Sequence, residues 1–423
     1  MEYVRRIIDD QLSEMMAVLP AISVEGAKGV GKTATATRRT QNVFSLDDEA
    51  TEQIIAGNPK LVDSGEPTTF VDEWQLVPTV WNVVRRAVDD GAAPGSFLLA
   101  GSASPSPQVR IHSGAGRIVR LTMRPQSLPE RGLVSTTVSL RDLLSCEPGD
   151  LGGATSMDAA DYVHEILASG FPGIRAALAE ARPHLLQSYV DRIIDHDVDQ
   201  LGQRSRRSES VRGWLTAYAA ATSTAASYSS ILRAATPGET DKPSKVTAMA
   251  YRDVLQRLWV LDPIAAWTPS FGHLKRLALA PKHHLVDPAL AAVLVGASAA
   301  SLIRGDGPSG GGRDGTFLGA LFESLAAQTV RVLAQASGAA VFHFRTHGGE
   351  REVDLIVQRP DHRVLAMEVK LSATVRPDDV SSLNWLEVQA PDLVKDKLIL
   401  NTGTRAYRRP DGVGVIPLSL LGV

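Results

Sequence analysis

A glycine-rich segment near the start of the chain constrains the fold more than any other feature. In residues 21–33, AISVEGAKGVGKT, a short apolar run leads into Gly26, and Gly31, Lys32 and Thr33 follow before an Ala/Thr-rich stretch. A strand, a glycine-rich loop and a helix in this order are typical of a phosphate-binding loop. The ligands of such folds lie beyond the carboxyl ends of parallel strands. The segment therefore predicts an α/β fold built on a parallel sheet.

The residue types of this loop suit a nucleoside triphosphate. Glycines let successive backbone N–H groups turn inward around an anion, and the following helix adds its positive dipole end. Lys32 can reach the β- and γ-phosphates, while the Thr33 hydroxyl ligates Mg²⁺. A glycine-rich turn with an accidental lysine is the alternative, and the strand and helix around the motif disfavour it. The residues expected to bind ATP are Gly26, Ala27, Lys28, Gly29, Val30, Gly31, Lys32 and Thr33.

Two further apolar runs end in polar side chains. The run Thr69-Phe-Val ends in Asp72 and Glu73, and the run Phe97-Leu-Leu-Ala-Gly ends in Ser102. Asp72 would hold Mg²⁺, and Glu73 would polarise the water that attacks the γ-phosphate. Alone, an Asp-Glu pair is also a common way to solvate the end of a strand. Ser102 is placed to sense the γ-phosphate or orient the water, and a plain turn serine fits the pattern equally well.

Four arginines that follow Ser102 are candidates for a phosphate contact, because an arginine finger stabilises the charge of the transition state. They are Arg110, Arg117, Arg120 and Arg124. The contact would be made in the same subunit or in a neighbouring one. Arg117, between Gly116 and an apolar strand, is the first candidate. For each of the four, a solvated or ion-paired surface role is the alternative.

The chain divides into three regions, at residues 1–150, 151–303 and 304–423. The boundaries follow two Pro/Gly-rich stretches, Cys146–Gly153 and Leu302–Gly315. The first region alternates strands and helices, with strands predicted at Ala21–Glu25, Val43–Leu46, Thr68–Asp72, Ser96–Gly101 and Ile118–Thr122. The second is mostly helical, with helices predicted at Pro183–Leu201, Ser208–Thr222 and Lys245–Leu258. The third combines a helix at Phe317–Ala336 with strands at Ala340–Arg345, Glu352–Gln358, Val364–Lys370 and Lys397–Asn401.

Composition is that of a globular protein of more than one domain. The 423 residues are 44% hydrophobic and 22% charged, and the single Cys146 excludes an internal disulfide and fits a reducing cytoplasm. The apolar stretch Ala289–Ile303 is shorter than a membrane span, so a buried helix and no membrane contact are expected. The net charge is −3. Any surface that binds DNA or RNA must therefore be a local basic patch.

Several motifs together resemble a prokaryotic family of AAA-type ATPases. They are Asp72-Glu73-Trp-Gln75-Leu-Val-Pro78, Leu98-Leu-Ala-Gly-Ser-Ala-Ser104 and Gly116-Arg117-Ile-Val-Arg-Leu. The likeness continues through Ser45–Asp48, Ser169–Pro172 and Tyr189–Asp197. It implies that the Ser102 strand separates the Asp72 strand from the phosphate-loop strand, and by analogy that the chain is a homo-oligomer. A small-molecule kinase is the alternative, but no arginine-rich lid is evident.

The members that this chain resembles carry a C-terminal domain similar to the restriction-endonuclease-like nucleases, the PD-(D/E)XK fold. Asp354 lies in one alternating run, and Glu368 and Lys370 share a face of a second. Asp354 and Glu368 would bind a metal ion, and Lys370 would stabilise hydroxide or phosphorane charge. Glu323, on the preceding helix, could add a carboxylate. Ordinary charges on strand faces are the alternative, and the fold by itself does not establish activity.

The middle region resembles a winged helix-turn-helix. Ala225–Ala235 and Lys245–Leu258 would be its two helices, and the basic residues that could contact phosphates are Lys242, Lys245, Arg252, the run Gln203-Arg-Ser-Arg-Arg207 and Lys275-Arg276. A winged helix that packs between domains with solvated charges is the alternative.

Two functions are compatible with these features. The first is a Mg²⁺-dependent ATPase that couples ATP hydrolysis to binding, remodelling or cutting nucleic acid. The second is an ATP-gated switch whose C-terminal domain is inactive and only binds a protein or nucleic-acid partner. A basic cleft beside Asp354 and Glu368 favours the first, and a plugged cleft favours the second.

Overall fold

The computed structural model describes residues 3–63, 68–103, 113–145, 148–198, 208–235, 245–269, 279–304 and 314–423. Several sequence-based candidates lie outside this part of the chain. They are Arg110, Lys242, Lys275, Arg276 and the basic run at residues 203–207, together with Cys146.

The first region contains a parallel five-stranded sheet. Its strands are β1 (Ala21–Glu25), β2 (Asn42–Ser45), β3 (Thr69–Asp72), β4 (Phe97–Gly101) and β5 (Val119–Thr122), in the order β2-β3-β4-β1-β5. The α/β fold class is confirmed. Strand β4, which carries Ser102 at its end, lies between β3 and β1 as the resemblance implied. Strands β1, β3 and β4 are buried over their whole length, because helices cover both faces of the sheet.

The two faces of this sheet are covered by different helices, which are α1 (Ile7–Met16), α2 (Lys32–Ala36), α3 (Glu49–Gly57) and α4 (Thr79–Asp89). Side chains alternate along each strand. Leu98 therefore packs in the cluster that contains Leu12 of α1, whereas Leu99 packs with Trp81 of α4. Helix α4 has one apolar face, and it ends just before Gly91, whose φ of 96° suits glycine.

The middle region is helical: α5 (Leu140–Ser145) precedes it, and it contains α6 (Ala159–Ala168), α7 (Pro172–Arg175), α8 (Arg182–Arg192), α9 (Ser208–Ala220), α10 (Tyr228–Ala235), α11 (Lys245–Arg257), α12 (Pro288–Leu294) and α13 (Ala299–Arg304). Helix α8 runs into a π-helical turn at Ile193–Asp197. The stretch predicted as one buried helix is two helices, because Gly296 adopts a φ of 72° between them. After α11, Leu261 and Ile264 pair with Leu285 and Lys282 in antiparallel bridges.

The third region begins with helix α14 (Asp314–Ala336). By length and composition alone, its segment Phe317–Ala336 could cross a membrane, and 67% of the apolar window is buried inside the protein. A six-stranded sheet follows, with the order β11-β12-β10-β9-β8-β7. Its strands are β7 (Ala340–Arg345), β8 (Glu352–Gln358), β9 (Val364–Lys370), β10 (Val394–Asn401), β11 (Tyr407–Arg408) and β12 (Gly414–Pro417). Helix α15 (Ser381–Gln389) lies between β9 and β10 in the chain. Strands β7, β8 and β9 match the predicted bounds.

The three regions share one hydrophobic core. A single buried cluster includes Leu12 of α1, Trp214 of α9, Val330 of α14 and Leu421 near the end of the chain. Strand β13 (Leu421–Gly422) pairs with β6 (Val138–Ser139), so the last residues return to the first region. Helix α14 touches α1, α6 and β9. The regions are therefore packed on one another over large apolar surfaces.

A three-residue ion pair joins the same three regions. Asp262, from the segment after α11, accepts from Arg124 Nε at 2.7 Å and lies 2.8 Å from a guanidinium nitrogen of Arg331 on α14. The side chain of Arg124 is only 10% exposed, that of Asp262 13% and that of Arg331 18%. Burial alone would raise the pKa of Asp262, but the two guanidinium groups lower it to about 2. Each charge thus depends on the others for compensation.

We predict that Asp262→Ala lowers the free energy of unfolding by about 3 kcal/mol, because it leaves two largely buried guanidinium groups without their carboxylate. Asp361→Ala is the matched control. Asp361 also pairs with two arginines, but its side chain is 40% exposed, so its removal should cost less than about 1 kcal/mol. Urea denaturation of both variants measures the difference. Equal losses of stability in the two variants would contradict the larger cost expected for breaking the buried ion pair.

Candidate functional site

The phosphate-binding loop connects β1 to α2 through backbone conformations that only glycine adopts easily. Gly29 has a φ of 79° and Gly31 a φ of 104°. Gly26 is required for a different reason, since a Cβ atom there would lie 2.1 Å from the Met123 carbonyl oxygen. These three positions therefore explain the spacing of the glycines in the motif.

Lys32, the first residue of α2, is buried inside this loop. Its Nζ donates to the carbonyl oxygens of Gly26 and Ala27, each at 2.9 Å. Burial lowers the pKa of Lys32 to about 8, against the attraction of the Glu73 and Asp72 carboxylates. A negatively charged ligand bound in the loop would stabilise the protonated form of Lys32 and so offset the effect of burial.

Thr33 and Asp72 meet at the carboxyl edge of the sheet. The Thr33 hydroxyl donates to Asp72 Oδ2 at 2.5 Å, and burial raises the pKa of Asp72. Hydroxyl and carboxylate oxygens are the hard donors that Mg²⁺ prefers, and Mg²⁺ in phosphate sites takes one or two carboxylates together with substrate phosphates. Within the described ranges no group of three or more His, Cys, Asp or Glu side chains could hold a metal ion. The donor set therefore fits Mg²⁺ bound together with a nucleotide.

Glu73 and Ser102 also come together at this edge. Ser102 Oγ donates to Glu73 Oε2 at 2.7 Å, and Gln75 Nε2 donates to the same oxygen. Glu73 has a φ of 50°, a left-handed conformation that is unusual for a residue with a side chain and costs on the order of 1 kcal/mol. Gln75 was part of the sequence motif but had no role assigned to it. The three side chains form one hydrogen-bonded group beside the phosphate-binding loop.

Arg117 lies away from the loop. It precedes Val119, which pairs with Ile22 near the start of β1, so Arg117 lies at the amino edge of the sheet. Its Nε is 2.8 Å from Asp89 Oδ1, and its side chain is 42% exposed. A phosphate contact by Arg117 in its own subunit is therefore wrong, because residues before a parallel strand lie opposite those that follow one.

The other described arginines are engaged elsewhere. Arg120 pairs with Glu25 at 3.2 Å and its guanidinium lies over the ring of Trp81, while Arg124 belongs to the junction with Asp262. Arg124 does follow the carboxyl end of β5, on the same edge as the loop.

Sequence reasoning missed Arg6, which holds the loop from the outside. Its buried guanidinium donates to the Val30 carbonyl oxygen at 2.9 Å, to Glu130 Oε1 at 3.0 Å and to the Arg124 carbonyl oxygen at 2.7 Å. Arg6 thus fixes the loop backbone relative to β5 and to the turn at Glu130. Its position in a charged N-terminal stretch gave no signal of burial.

A cavity of about 360 Å³ opens beside the first turn of α2. Tyr3, Thr35, Met123, Pro172 and Ala176 line it, so the N-terminal segment, α2 and α7 each contribute a wall. Most of its exposed lining is apolar, and its polar lining residues include Arg6, Gln126, Glu130, Arg131 and Arg175. Its size and position suit the base of a nucleotide whose phosphates lie in the loop.

The middle region covers the loop. The Tyr189 hydroxyl donates to the Lys28 carbonyl oxygen at 3.2 Å, and Lys28 Nζ lies 2.8 Å from Asp197 Oδ1. Asp197 is buried and belongs to the π-helical turn, a type of turn that often marks functional sites. The ring of Phe171 packs on Tyr189 and lies close to Gly29. The loop is therefore in direct contact with an element of another region.

The structure brings the four C-terminal candidates together. The Val369 N–H donates to Asp354 Oδ2 at 2.9 Å, and Lys370 Nζ lies 2.9 Å from Glu368 Oε2. Burial, followed by the charge of Asp354, raises the pKa of Glu368 well above its usual value. Glu323 of α14 faces the same group, and burial raises its pKa to about 8.

An unexpected lysine lies at the centre of this carboxylate cluster. Lys282 Nζ is 2.8 Å from Glu323 Oε1, 2.8 Å from Glu352 Oε1 and 2.9 Å from Asp354 Oδ1, and its side chain is 1% exposed. Burial opposes its charge, but these carboxylates raise the pKa of Lys282 well above its usual value. Sequence reasoning missed Lys282 because it belongs to the middle region and to no motif.

Comparisons with known proteins agree with the loop geometry. Residues 19–131 match the family model described as an AAA domain, whereas residues 159–301 and 318–421 match two models described as domains of unknown function, DUF8612 and DUF4143. Residues 19–131 thus form an AAA-type P-loop ATPase domain. The descriptions of the other two models name no activity, so they leave the nuclease-like and winged-helix interpretations open.

Individual relatives add little. Uncharacterized proteins of Mycobacterium bovis and Mycobacterium tuberculosis are each 25% identical over 297 residues, which is 69% of this chain and 60% of theirs. The chain thus matches less than two thirds of the length of these relatives. A solved Walker-type ATPase of Pyrococcus abyssi is 14% identical and covers 68% of this chain and 94% of its own, with a TM-score of 0.39. A score this low supports no inference.

We predict that ATP affinity falls as the pH rises above about 8. The pKa of Lys32 is about 8 without nucleotide, and the phosphates raise it on binding. Binding above that pH therefore takes up a proton, and the dissociation constant rises by up to about tenfold per pH unit, whereas below it Lys32 is already charged. Calorimetric titration in buffers of different ionisation enthalpy measures the uptake. Lys32→Arg, which stays protonated, should lose this dependence, and a pH-independent wild type would contradict the assignment.

Proposed function

We propose that the chain is a Mg²⁺-dependent ATPase whose nucleotide state changes the contacts between the AAA domain and the middle region. The observation that carries this proposal is the contact of Lys28 with Asp197. A lysine inside the phosphate-binding loop is paired with a carboxylate from another region, and a bound polyphosphate would compete for the same ammonium group. Binding of ATP would therefore weaken the contact, and loss of the γ-phosphate would restore it.

The residues at the edge of the sheet have separate parts in hydrolysis. Lys32 binds oxygens of the β- and γ-phosphates, and Thr33 and Asp72 would hold Mg²⁺. When bound, Mg²⁺ neutralises charge that develops on the phosphate oxygens. Glu73 orients the attacking water and accepts its proton, while Ser102 and Gln75 hold the Glu73 carboxylate. A residue of a second subunit would supply any further positive charge, in keeping with a homo-oligomer.

Coupling to nucleic acid is the first form of this proposal. Helices α10 and α11 would be the binding element, as in a winged helix-turn-helix. In the described part of the region, however, Arg252 pairs with Asp253 and lies over the ring of Tyr228, and Val246 is 79% exposed. Charges that are already paired favour phosphate binding less than free ones do.

The second form is an ATP-gated switch whose C-terminal domain binds a partner without cutting it. The position of Lys282 among the carboxylates favours this form, because an ammonium group fills the space where a nuclease would need a metal ion. We therefore prefer the switch, with DNA, RNA or a protein as partner.

We expect Lys32→Ala to abolish ATP hydrolysis and weaken binding, because it removes the charge that faces the β- and γ-phosphates. Glu73→Gln should retain ATP and slow hydrolysis by roughly a hundredfold or more, since the phosphate contacts survive while the base is lost. Phosphate release and retention of labelled ATP measure the two effects. Equal hydrolysis rates for wild type and Glu73→Gln would remove Glu73 from the mechanism.

The same assay distinguishes the two forms of the proposal. Wild-type rates are measured alone and with single-stranded DNA, duplex DNA or RNA, with Lys32→Ala as the background. Stimulation by one nucleic acid identifies that class as the partner, and its cleavage by wild type but not by Asp354→Ala would favour the coupled enzyme over the switch. Unchanged rates with all three support a switch that acts on a protein.

A further inference from the structure

The Lys282 ammonium is buried among three carboxylates, and its side chain is 1% exposed. A protonated lysine has three N–H donors. Carboxylate oxygens of Glu323, Glu352 and Asp354 lie 2.8 to 2.9 Å from its Nζ, which donates hydrogen bonds to Glu323 and Asp354. Two of these carboxylates come from the same face of β8, and the third comes from α14. The group is therefore a set of three carboxylates gathered around one ammonium group.

The backbone that carries Lys282 is also held in place. Lys282 and Ile264 exchange two backbone hydrogen bonds, each 2.9 Å long. His283 donates its backbone N–H to the Thr224 carbonyl oxygen at 2.8 Å. These backbone hydrogen bonds fix the point from which the Lys282 side chain reaches the carboxylates. The lysine is thus a fixed component of the cluster.

The charge balance of the cluster depends on this lysine. Lys370 is already paired with Glu368, which leaves Glu323, Glu352 and Asp354 facing Lys282. Glu352 has a second cation nearby, since Arg345 Nε lies 3.9 Å from it. Asp354 and Glu323 are nearly enclosed, at 12% and 14% side-chain exposure. Without Lys282, Asp354 would lose the cation that keeps it charged, and the group would have to take up a proton or bind another cation.

We propose that Lys282 is an internal counter-ion that closes the C-terminal carboxylate cluster to divalent metal ions. A divalent ion would need the same oxygens at about 2.0–2.6 Å, and two cations cannot share them at these distances. The middle region thereby inhibits any metal-dependent chemistry of the third region. This proposal concerns a different site from the ATPase and does not depend on it.

Binding of Mn²⁺ to the nucleotide-free full-length chain tests this role, with free Mn²⁺ followed by electron paramagnetic resonance. Wild type should show no Mn²⁺ site that Asp354→Ala removes. Lys282→Ala should gain such a site and bind Mn²⁺ there at least roughly tenfold more tightly than wild type binds Mn²⁺ anywhere on the nucleotide-free chain. The double variant Lys282→Ala with Asp354→Ala should lose it again. Lys397→Ala, which removes a buried, ion-paired lysine elsewhere in the same sheet, should behave as wild type.

Two outcomes overturn the proposal: an Asp354-dependent site of equal affinity in wild type and Lys282→Ala, or no gain of binding in Lys282→Ala. If Lys282→Ala fails to fold, Lys282→Met keeps most of the buried stem and is compared in the same way. A second measurement needs only the wild type. Lys282 should resist amine acylation in the native chain with or without Mn²⁺, as read by mass spectrometry, and acylation that appears with Mn²⁺ would show that metal displaces it.

Discussion

Charged side chains that reach from one part of the chain to another hold the regions of this molecule in place. Arg6, Lys28 and Lys282 each extend from one part of the chain to backbone or carboxylate oxygens of another. Asp262 is a carboxylate that pairs with two guanidinium groups, those of Arg124 and Arg331, at the junction of all three regions. Lys28 is 46% exposed and can exchange its partner, whereas separating the other, largely buried groups would leave a charge uncompensated in a poorly solvated space. One apolar core is also continuous across the three regions. Movement of one region against another must therefore change these polar contacts.

The nucleotide site follows from the direction of the strands. Parallel strands β1, β3 and β4 end at one edge, and the residues that follow them are those of the loop, Asp72 with Glu73, and Ser102. The apolar strands fix these positions, and the polar side chains meet because the chain leaves the sheet there. The contacts of Phe171, Tyr189 and Asp197 then cover the loop from the middle region. Catalytic groups and a candidate sensing contact thus lie within one small volume.

Sequence reasoning found what local pattern encodes. The spacing of Gly26, Lys32 and Thr33 and the apolar runs before Asp72 and Ser102 predicted the AAA-type sheet, and alternation in β8 and β9 brought Asp354 and Glu368 onto neighbouring strands. It could not find the contacts that Arg6, Asp197 and Lys282 make. Their partners are far away in the sequence, and a charged residue in a polar stretch looks the same whether it is solvated or buried.

Two sequence-based expectations were wrong for identifiable reasons. Arg117 was chosen for its place before a strand, although a residue in that place lies at the edge opposite the loop. The single helix expected at Ala289–Ile303 is interrupted because Gly296 adopts a left-handed conformation, which composition does not reveal. Both errors concern direction and geometry rather than residue type.

We infer that the phosphate-binding loop reports its occupancy to the middle region through Lys28 and Asp197. Amide hydrogen exchange in the Glu73→Gln chain, with and without ATP and Mg²⁺, tests this coupling most directly. We expect nucleotide to change amide exchange in two places, the loop at residues 26–33 and the segment Tyr189–Asp197, and we expect Asp197→Asn to remove the change in the second. A response confined to the loop, with Tyr189–Asp197 unaffected, would contradict it.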